Sequence, residues 1–298
     1  MNLLNPKDTL FQVNKTLCLK GDLINLAVPR VMGILNVTPD SFYDGGRYTT
    51  SDQILRRAEQ MLAEGATFID IGGYSTRPQA SDISEEEELS RVIPALETLS
   101  KAFPGAYLSI DTFRAQEAKR AVEAGACLIN DISGGTLDEK MFETVSQLNV
   151  PYVLMHTRGT PQTMTKLSQY QNVVLDVLDE LQKKVFHLRN LGQKDILLDV
   201  GFGFAKTREQ NYEMLENLNY FELLKLPLLV GVSRKSMVYK TLGIPVEDSL
   251  NGTTVLHTLA LTKGASVLRA HDVKEAVEAI KLYNLATRSR SCQNDIPL

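Results

Sequence analysis

The chain of 298 residues has no tryptophan, three cysteines and four histidines. Cys18, Cys127 and Cys292 are odd in number, far apart and outside any CxxC pattern, which argues against a disulfide framework or a zinc site and for a reducing compartment. No apolar run approaches the roughly 20 residues of a membrane span, and the opening stretch MNLLNPKDTLFQ lacks a basic region followed by an apolar core. A cytoplasmic protein without a membrane partner is expected. There is no Lys/Arg-rich run either: with a net charge of −4 and 23% charged residues, nothing marks a nucleic-acid partner, and a small molecule is the expected one.

What is present is a repeating unit of apolar strand and amphipathic helix. The stretch 31–46, VMGILNVTPDSFYDGG, is a short apolar run that breaks into a polar loop ending in two glycines. Strands rich in Val, Ile and Leu without polar alternation are covered on both faces, as in parallel sheets. At about eleven residues the loop exceeds the roughly 2 to 6 of an ordinary strand-to-helix connection, which points to function. A first helix starts near the N-cap candidate Ser51 and ends at Glu64-Gly65. A second strand, 67–71, runs into another polar loop, Gly72-Gly73-Tyr74-Ser75-Thr76-Arg77-Pro78. Ser84 with Glu87 then gives a capping-box pattern for the next helix.

Further strands are expected at 107–110, 127–130, 151–155, 196–198, 228–232 and 266–268. The helical stretch after Gln171 places Val174, Val177, Leu178, Leu181, Val185 and Leu188 on one stripe. Eight strands, each followed by a helix over about 255 residues, predict an α/β fold of the (β/α)8 TIM barrel type. A doubly wound open sheet is the alternative; its GxGxxG or GxxxxGK[ST] loop is missing. Two apolar patches around Lys20-Gly21-Asp22 predict an N-terminal β-hairpin within 9–28, closing one end. The whole chain, 1–298, reads as a single domain, with the barrel over 31–286 and a flexible tail at 287–298.

The strand ends carry Asn36; Asp70, with Thr76 and Arg77 in its loop; Asp111; Asn130 and Asp131; Met155 and His156; Asp199; Ser233, Arg234 and Lys235; and Arg269, His271 and Asp272. An Asp after a strand is commonly an N-cap or turn residue. Eight polar strand ends together point instead to the C-terminal face of a barrel, where active sites of this fold lie. Asp111, Asn130 and Asp199 suit a flat polar edge rich in N–H donors. Arg77, Lys235, Arg269 and His271 suit an anion. A donor-rich heterocycle with a phosphate or pyrophosphate tail satisfies both sets. The glycines of Gly201-Phe202-Gly203-Phe204 allow close backbone approach, and Phe204 reads equally well as a pocket wall or as core.

The segments GILNVTPDSFYDGG, DIGGYSTRP, SIDTF, INDISGG, LMHTRG, LDVGFGFAKT, GVSRKS and GASVLRAHDV, in this order and spacing, resemble the signature segments of dihydropteroate synthase, a pterin-binding family. The resemblance implies a (β/α)8 barrel, usually a homodimer. It implies condensation of 6-hydroxymethyl-7,8-dihydropterin pyrophosphate with 4-aminobenzoate to 7,8-dihydropteroate, in folate biosynthesis, with Mg²⁺ and release of pyrophosphate. It also assigns residues. Asp111, Asn130, Asp199 and Lys235 hold the pterin edge, Met155 and Phe204 line its pocket, and Arg269 covers a ring face. Asn36, Arg269 and His271 bind pyrophosphate, Asn36 also serving the metal. The first loop (Thr38, Pro39, Asp40, Ser41, Phe42) and the second (Ser75, Thr76, Arg77, Pro78) close over the reacting carbon and, with Ser233 and Lys235, shape the aminobenzoate site. Asp40, Arg77, Lys235, Arg269 and His271 are the expected catalytic residues.

No Ser/His/Asp arrangement, catalytic thiol motif or three-ligand zinc cluster stands out, so an SN1-like route is expected, with stabilised departure of pyrophosphate and Asp40 steadying the pterin-methyl cation. Three positions depart from the family pattern: Tyr74 where Glu is common, Val200 where Pro often stands, and Ala205 where Gly is usual. Rival readings are a methyltetrahydrofolate-dependent methyltransferase barrel, an aldolase-like barrel with a Lys235 Schiff base, and a non-catalytic pterin-binding paralogue.

Overall fold

In the computed structural model, residues 15–38, 50–74, 83–160 and 162–292 are described. The sites expected at Pro39, Asp40, Ser41, Phe42, Ser75, Thr76, Arg77 and Pro78 lie outside them. Strands β3 (Arg30–Asn36), β4 (Phe68–Gly72), β5 (Tyr107–Asp111), β6 (Leu128–Asp131), β7 (Tyr152–Met155), β8 (Ile196–Asp199), β9 (Leu228–Val230) and β10 (Ala265–Ala270) form a closed barrel. Its pairs are all parallel, with β10 closing on β3. The expected barrel is the observed one.

Helices α1 (Thr50–Glu64), α2 (Glu85–Ala102), α3 (Ala115–Glu123), α4 (Met141–Leu148), α5 (Val173–Asn190) and α6 (Arg208–Glu216) follow successive strands. After β9 two helices follow rather than one, α7 (Ser236–Leu242) and α8 (Leu250–Thr262), because α7 stops at Gly243, a left-handed C-cap with φ 66°. The last helix, α9 (Val273–Cys292), continues into the stretch read as a tail. In α5 the predicted stripe is the inner face: Val174, Val177, Leu181 and Leu188 are buried. At the start of α2 only half of the capping box forms. Ser84 Oγ accepts the Glu87 N–H, while the Glu87 carboxylate pairs with Arg91.

The hairpin, β1 (Thr16–Leu19) and β2 (Asp22–Asn25), is antiparallel and turns through Lys20 and Gly21 at positive φ. Its Leu17 and Leu19, with Leu26 just beyond it, join Met32, Phe68, Leu128, Val153, Leu197, Leu229 and Val267 in a core at the strand beginnings. Each such fully buried side chain contributes roughly 1.5–3 kcal/mol by leaving water. The hairpin therefore seals the N-terminal mouth and leaves the C-terminal mouth as the open end.

One buried cluster outside the barrel lumen sets a pH dependence. Glu88 of α2 and Glu117 of α3 are both fully buried and interact with each other, and two carboxylates in one dry site do not both ionise, so one of them keeps its proton. Arg114 pairs with Glu88 and donates to the Ile83 carbonyl at 2.7 Å. Burial, then the neighbouring Glu88 charge, pushes the Glu117 carboxyl far above the usual carboxylate range. A folded-state value raised above the unfolded one gives stability that is complete below the unfolded value and is lost as pH rises. Glu117→Gln, a permanent mimic of the neutral acid, removes that loss. Its gain in Tm over the unsubstituted chain is expected to be near zero below about pH 4.5 and to grow toward pH 8. Thermal unfolding at several pH values checks this; a difference independent of pH would contradict a retained proton.

Candidate active site

Strand register gathers the site. Asn36, Gly72, Asp111 and Asn130 are partners across four neighbouring strands, and Met155 is the partner of Asp199. Residues in one row of a parallel sheet point to the same side, so this row faces the lumen at its C-terminal mouth. Gly72 keeps the row open, since a Cβ there would meet Asn36 Oδ1 at 3.4 Å and the Asp111 Cβ at 3.6 Å. The cavity at this mouth is lined by Asp111, Asn130, Ile132, Met155, Asp199, Phe204, Gly231, Lys235 and Arg269. All the expected pterin residues are in that set. Ile132 and Gly231 were not singled out from the sequence.

A strand-end residue to which the sequence reading gave no role matters more. Asp70, one row below Gly72 and fully buried, accepts from the Asn130 Nδ2 at 2.8 Å and from the Arg269 Nε at 2.7 Å. Its signal was the inward parity it shares with Gly72, two residues on. Arg269 also donates through Nη2 to Asp111 at 2.5 Å. Because Asn130 spends its amide N–H on Asp70, its carbonyl oxygen is left as the group that can accept from a ligand. Burial opposes the Arg269 charge, but the Asp70 and Asp111 carboxylates more than offset this and hold its pKa above the usual arginine value. Burial raises Asp111, against the pull of Arg269, and raises Asp199, against the pull of Lys235. Lys235 itself is lowered to about 8 by burial, with Asp199 opposing.

The connection from β8 to α6 forms one wall. Gly201 turns at φ 71°, where a Cβ would fall 1.9 Å from the His156 carbonyl oxygen, so only glycine fits. Its N–H donates to Asp199 Oδ1 at 2.8 Å. Lys235 Nζ donates to the Phe202 carbonyl and lies 4.7 Å from the centre of the Phe204 ring, a cation–π distance. Ala205, at φ 47°, takes the left-handed conformation that its glycine counterpart would adopt without steric cost.

The cations expected at the anion side divide. Ser233 Oγ accepts the His271 N–H at 3.1 Å and is within 3.1 Å of His271 Nδ1. With that hydroxyl donating to Nδ1, a neutral His271 carries its hydrogen on Nε2. Arg57 holds the His271 carbonyl at 2.8 Å. Other strand-end residues point away from the lumen. Asp131 accepts from the Ser133 and Gly135 N–H groups and from the Tyr152 hydroxyl, Arg234 forms a two-bonded pair with Asp272, and His156 bonds Glu180. These hold loops, the bland role that an Asp after a strand commonly has. Tyr74 stands edge-on to Phe113 at 5.2 Å, with Arg114 over its ring and the Gln162 amide on its hydroxyl at 3.3 Å.

The family model for pterin binding enzymes matches residues 32–271. The dihydropteroate synthase of Haemophilus influenzae is 42% identical over 262 residues, covering 87% of this chain and 94% of its own; that of Bacillus subtilis is 43% identical over 256 residues, covering 85% and 87%. Among solved structures, Yersinia pestis dihydropteroate synthase in a sulfonamide drug complex superposes with a TM-score of 0.85 at 43% identity, covering 92% of this chain and 99% of the other. The Xanthomonas albilineans enzyme with 4-aminobenzoic acid gives 0.85 at 37%, covering 95% and 99%. The chain belongs to the dihydropteroate synthase family of pterin-binding enzymes, a family of transferases.

Proposed function

We propose that this chain joins 6-hydroxymethyl-7,8-dihydropterin pyrophosphate to 4-aminobenzoate, releasing pyrophosphate and 7,8-dihydropteroate. The observation that carries this reading is the pairing, at one barrel mouth, of an acceptor face (Asn130, Asp199 and Asp111) with the cations Lys235 and Arg269 and the donor His271. The acceptor face suits the donor-rich pterin edge. Phe204 and Met155 flank the ring, and Arg269, locked by two carboxylates, presents the plane of its guanidinium.

Mg²⁺ keeps several waters and takes one or two protein oxygens beside phosphate oxygens. Asn36 fits that demand, with a side-chain oxygen at the rim next to the opening that Gly72 leaves beside Asp111. Among the described residues no group of three His, Cys, Asp or Glu could enclose an ion unaided. Asn36 would hold the metal, which when bound would neutralise charge on the departing pyrophosphate. Arg269 and the Nε2–H of His271 would hold the same anion. As the bond to pyrophosphate breaks, the electron-rich reduced pterin carries the positive charge on its methylene carbon, Asp40 steadies it, the neutral arylamine attacks, and its nitrogen then loses one proton to solvent or to the released pyrophosphate. Thr76, Arg77, Pro78 and Phe42, with Ser233, would seat the aminobenzoate and exclude water.

A homodimer is part of the proposal. Val255 and Leu259 of α8 and Leu282 and Leu285 of α9 are exposed apolar side chains beside a groove between these helices, as suits a face that a second copy covers. No described helix is long and apolar enough to cross a membrane.

Incubation with both substrates, with and without Mg²⁺, is expected to release pyrophosphate in step with dihydropteroate only when the metal is present. Binding of the pterin substrate without turnover would contradict the synthase reading and favour a binding-only paralogue. Arg77→Ala is expected to raise the KM for 4-aminobenzoate by about tenfold or more, as for a lost charged hydrogen bond, with pterin affinity within about twofold. Equal loss for both substrates would contradict the assigned division.

A further inference from the structure

Behind the pterin wall lies a chain of polar groups that the proposed mechanism does not use. Lys206, two residues beyond Phe204, turns its ammonium back under the loop. Its three donors meet three acceptors: the Gly201 carbonyl at 3.1 Å, the Phe204 carbonyl at 3.1 Å and His156 Nδ1 at 3.0 Å. His156, itself 1% exposed, reaches Glu180 Oε2 through Nε2 at 2.9 Å. Accepting at Nδ1 and donating at Nε2 fixes a single neutral tautomer. Glu180 is in turn held by Arg158, whose guanidinium lies 4.0 Å from the centre of the Tyr170 ring; the Tyr170 hydroxyl donates to the Ala205 carbonyl at 2.9 Å.

The geometry is selective. The carbonyls taken by Lys206 belong to the first and last residues of Gly201-Phe202-Gly203-Phe204, and one of the two carbonyls between them, that of Phe202, is taken by Lys235 from the cavity side. The N–H of Gly203 goes to Asn211 Oδ1 at 2.7 Å. A loop with two glycines at φ 71° and 80° and Ala205 at 47° has little conformational preference of its own for this path. Its shape is set by these bonds, and its shape decides where the Phe204 ring and the Asp199 carboxylate stand. Lys206 is absent from the cavity lining, so it acts through other groups.

We infer that Lys206, oriented by the His156–Glu180 pair, is a positioning residue for pterin recognition: it clamps the Gly201 and Phe204 carbonyls and so fixes the aromatic wall and the acceptor of the pterin pocket. This rests on the pterin reading of the site, not on the aminobenzoate half. Burial lowers the Lys206 ammonium to about 7, with Asp199 and Glu180 favouring the charge and Lys235 and Arg158 opposing it, and its three hydrogen bonds hold the side chain in place.

The test compares substrates and variants. Lys206→Met keeps the stem and deletes the donors; the KM for dihydropterin pyrophosphate is expected to rise by about tenfold or more, with that for 4-aminobenzoate within about twofold. His156→Leu, which cannot accept from Lys206, is expected to show the same split. His156→Gln, whose amide oxygen accepts and whose NH2 donates to Glu180, is expected to restore pterin use to within about threefold of the unsubstituted chain. The Leu and Gln variants keep the proposal testable should Lys206→Met fail to fold. It is overturned by an unchanged pterin KM in Lys206→Met, by parallel losses for both substrates, or by a Gln variant no better than the Leu variant. Calorimetric titration with dihydropterin pyrophosphate alone reads the same comparison without turnover, so absence of synthase activity in the unsubstituted chain would leave this test standing.

Discussion

The bridge Asp70–Arg269–Asp111 is the constraint on which the rest of the site depends. A guanidinium at the floor of a barrel mouth is costly unless its charge and its N–H groups are met, and two carboxylates from neighbouring strands meet them at 2.7 Å and 2.5 Å. Because Asp70 also takes the Asn130 amide, one buried carboxylate sets the plane of the arginine and the direction in which Asn130 can accept. Electrostatic preorganisation of this kind costs nothing further when the ligand arrives.

Strand parity divides the labour around that bridge. At the end of β6, Asn130 faces the lumen while Asp131 turns outward to tie a loop to Tyr152; at the end of β7, Met155 faces in while His156 reaches Glu180. Inward residues line the cavity and outward residues shape the loops around it. Lys235 and Lys206 show the same division on the two sides of one loop, the first taking a middle carbonyl from the cavity and the second its end carbonyls from behind.

Much of this was legible in the sequence. The barrel follows from the alternation of short apolar strands with striped helices, and the ring of polar strand ends marked its functional mouth before any side chain was placed. The outward members of that ring were not separable from the inward ones by residue type alone, because an Asp that caps a loop and an Asp that faces a ligand look alike in sequence. Asp70 was counted among the polar strand ends but given no role, because holding Arg269 and Asn130 is a tertiary contact that only its inward parity with Gly72 hints at. The extra helix after β9 had a visible signal in Gly243-Ile244-Pro245, a helix stop within what had been read as one unit. The buried Glu88–Glu117 pair had none, since pairing between two helix starts is a tertiary event.

The most direct test of the bridge is the affinity of Asp70→Asn for dihydropterin pyrophosphate in the absence of aminobenzoate, measured by calorimetry on protein whose circular dichroism matches the unsubstituted chain. An amide in place of the carboxylate removes the charge facing Arg269, while its oxygen can still accept from both donors as Asp70 Oδ2 does, so the substitution tests the charge itself. An affinity lower by about tenfold or more is expected. An affinity unchanged within about twofold would mean that the site holds its shape without the bridge.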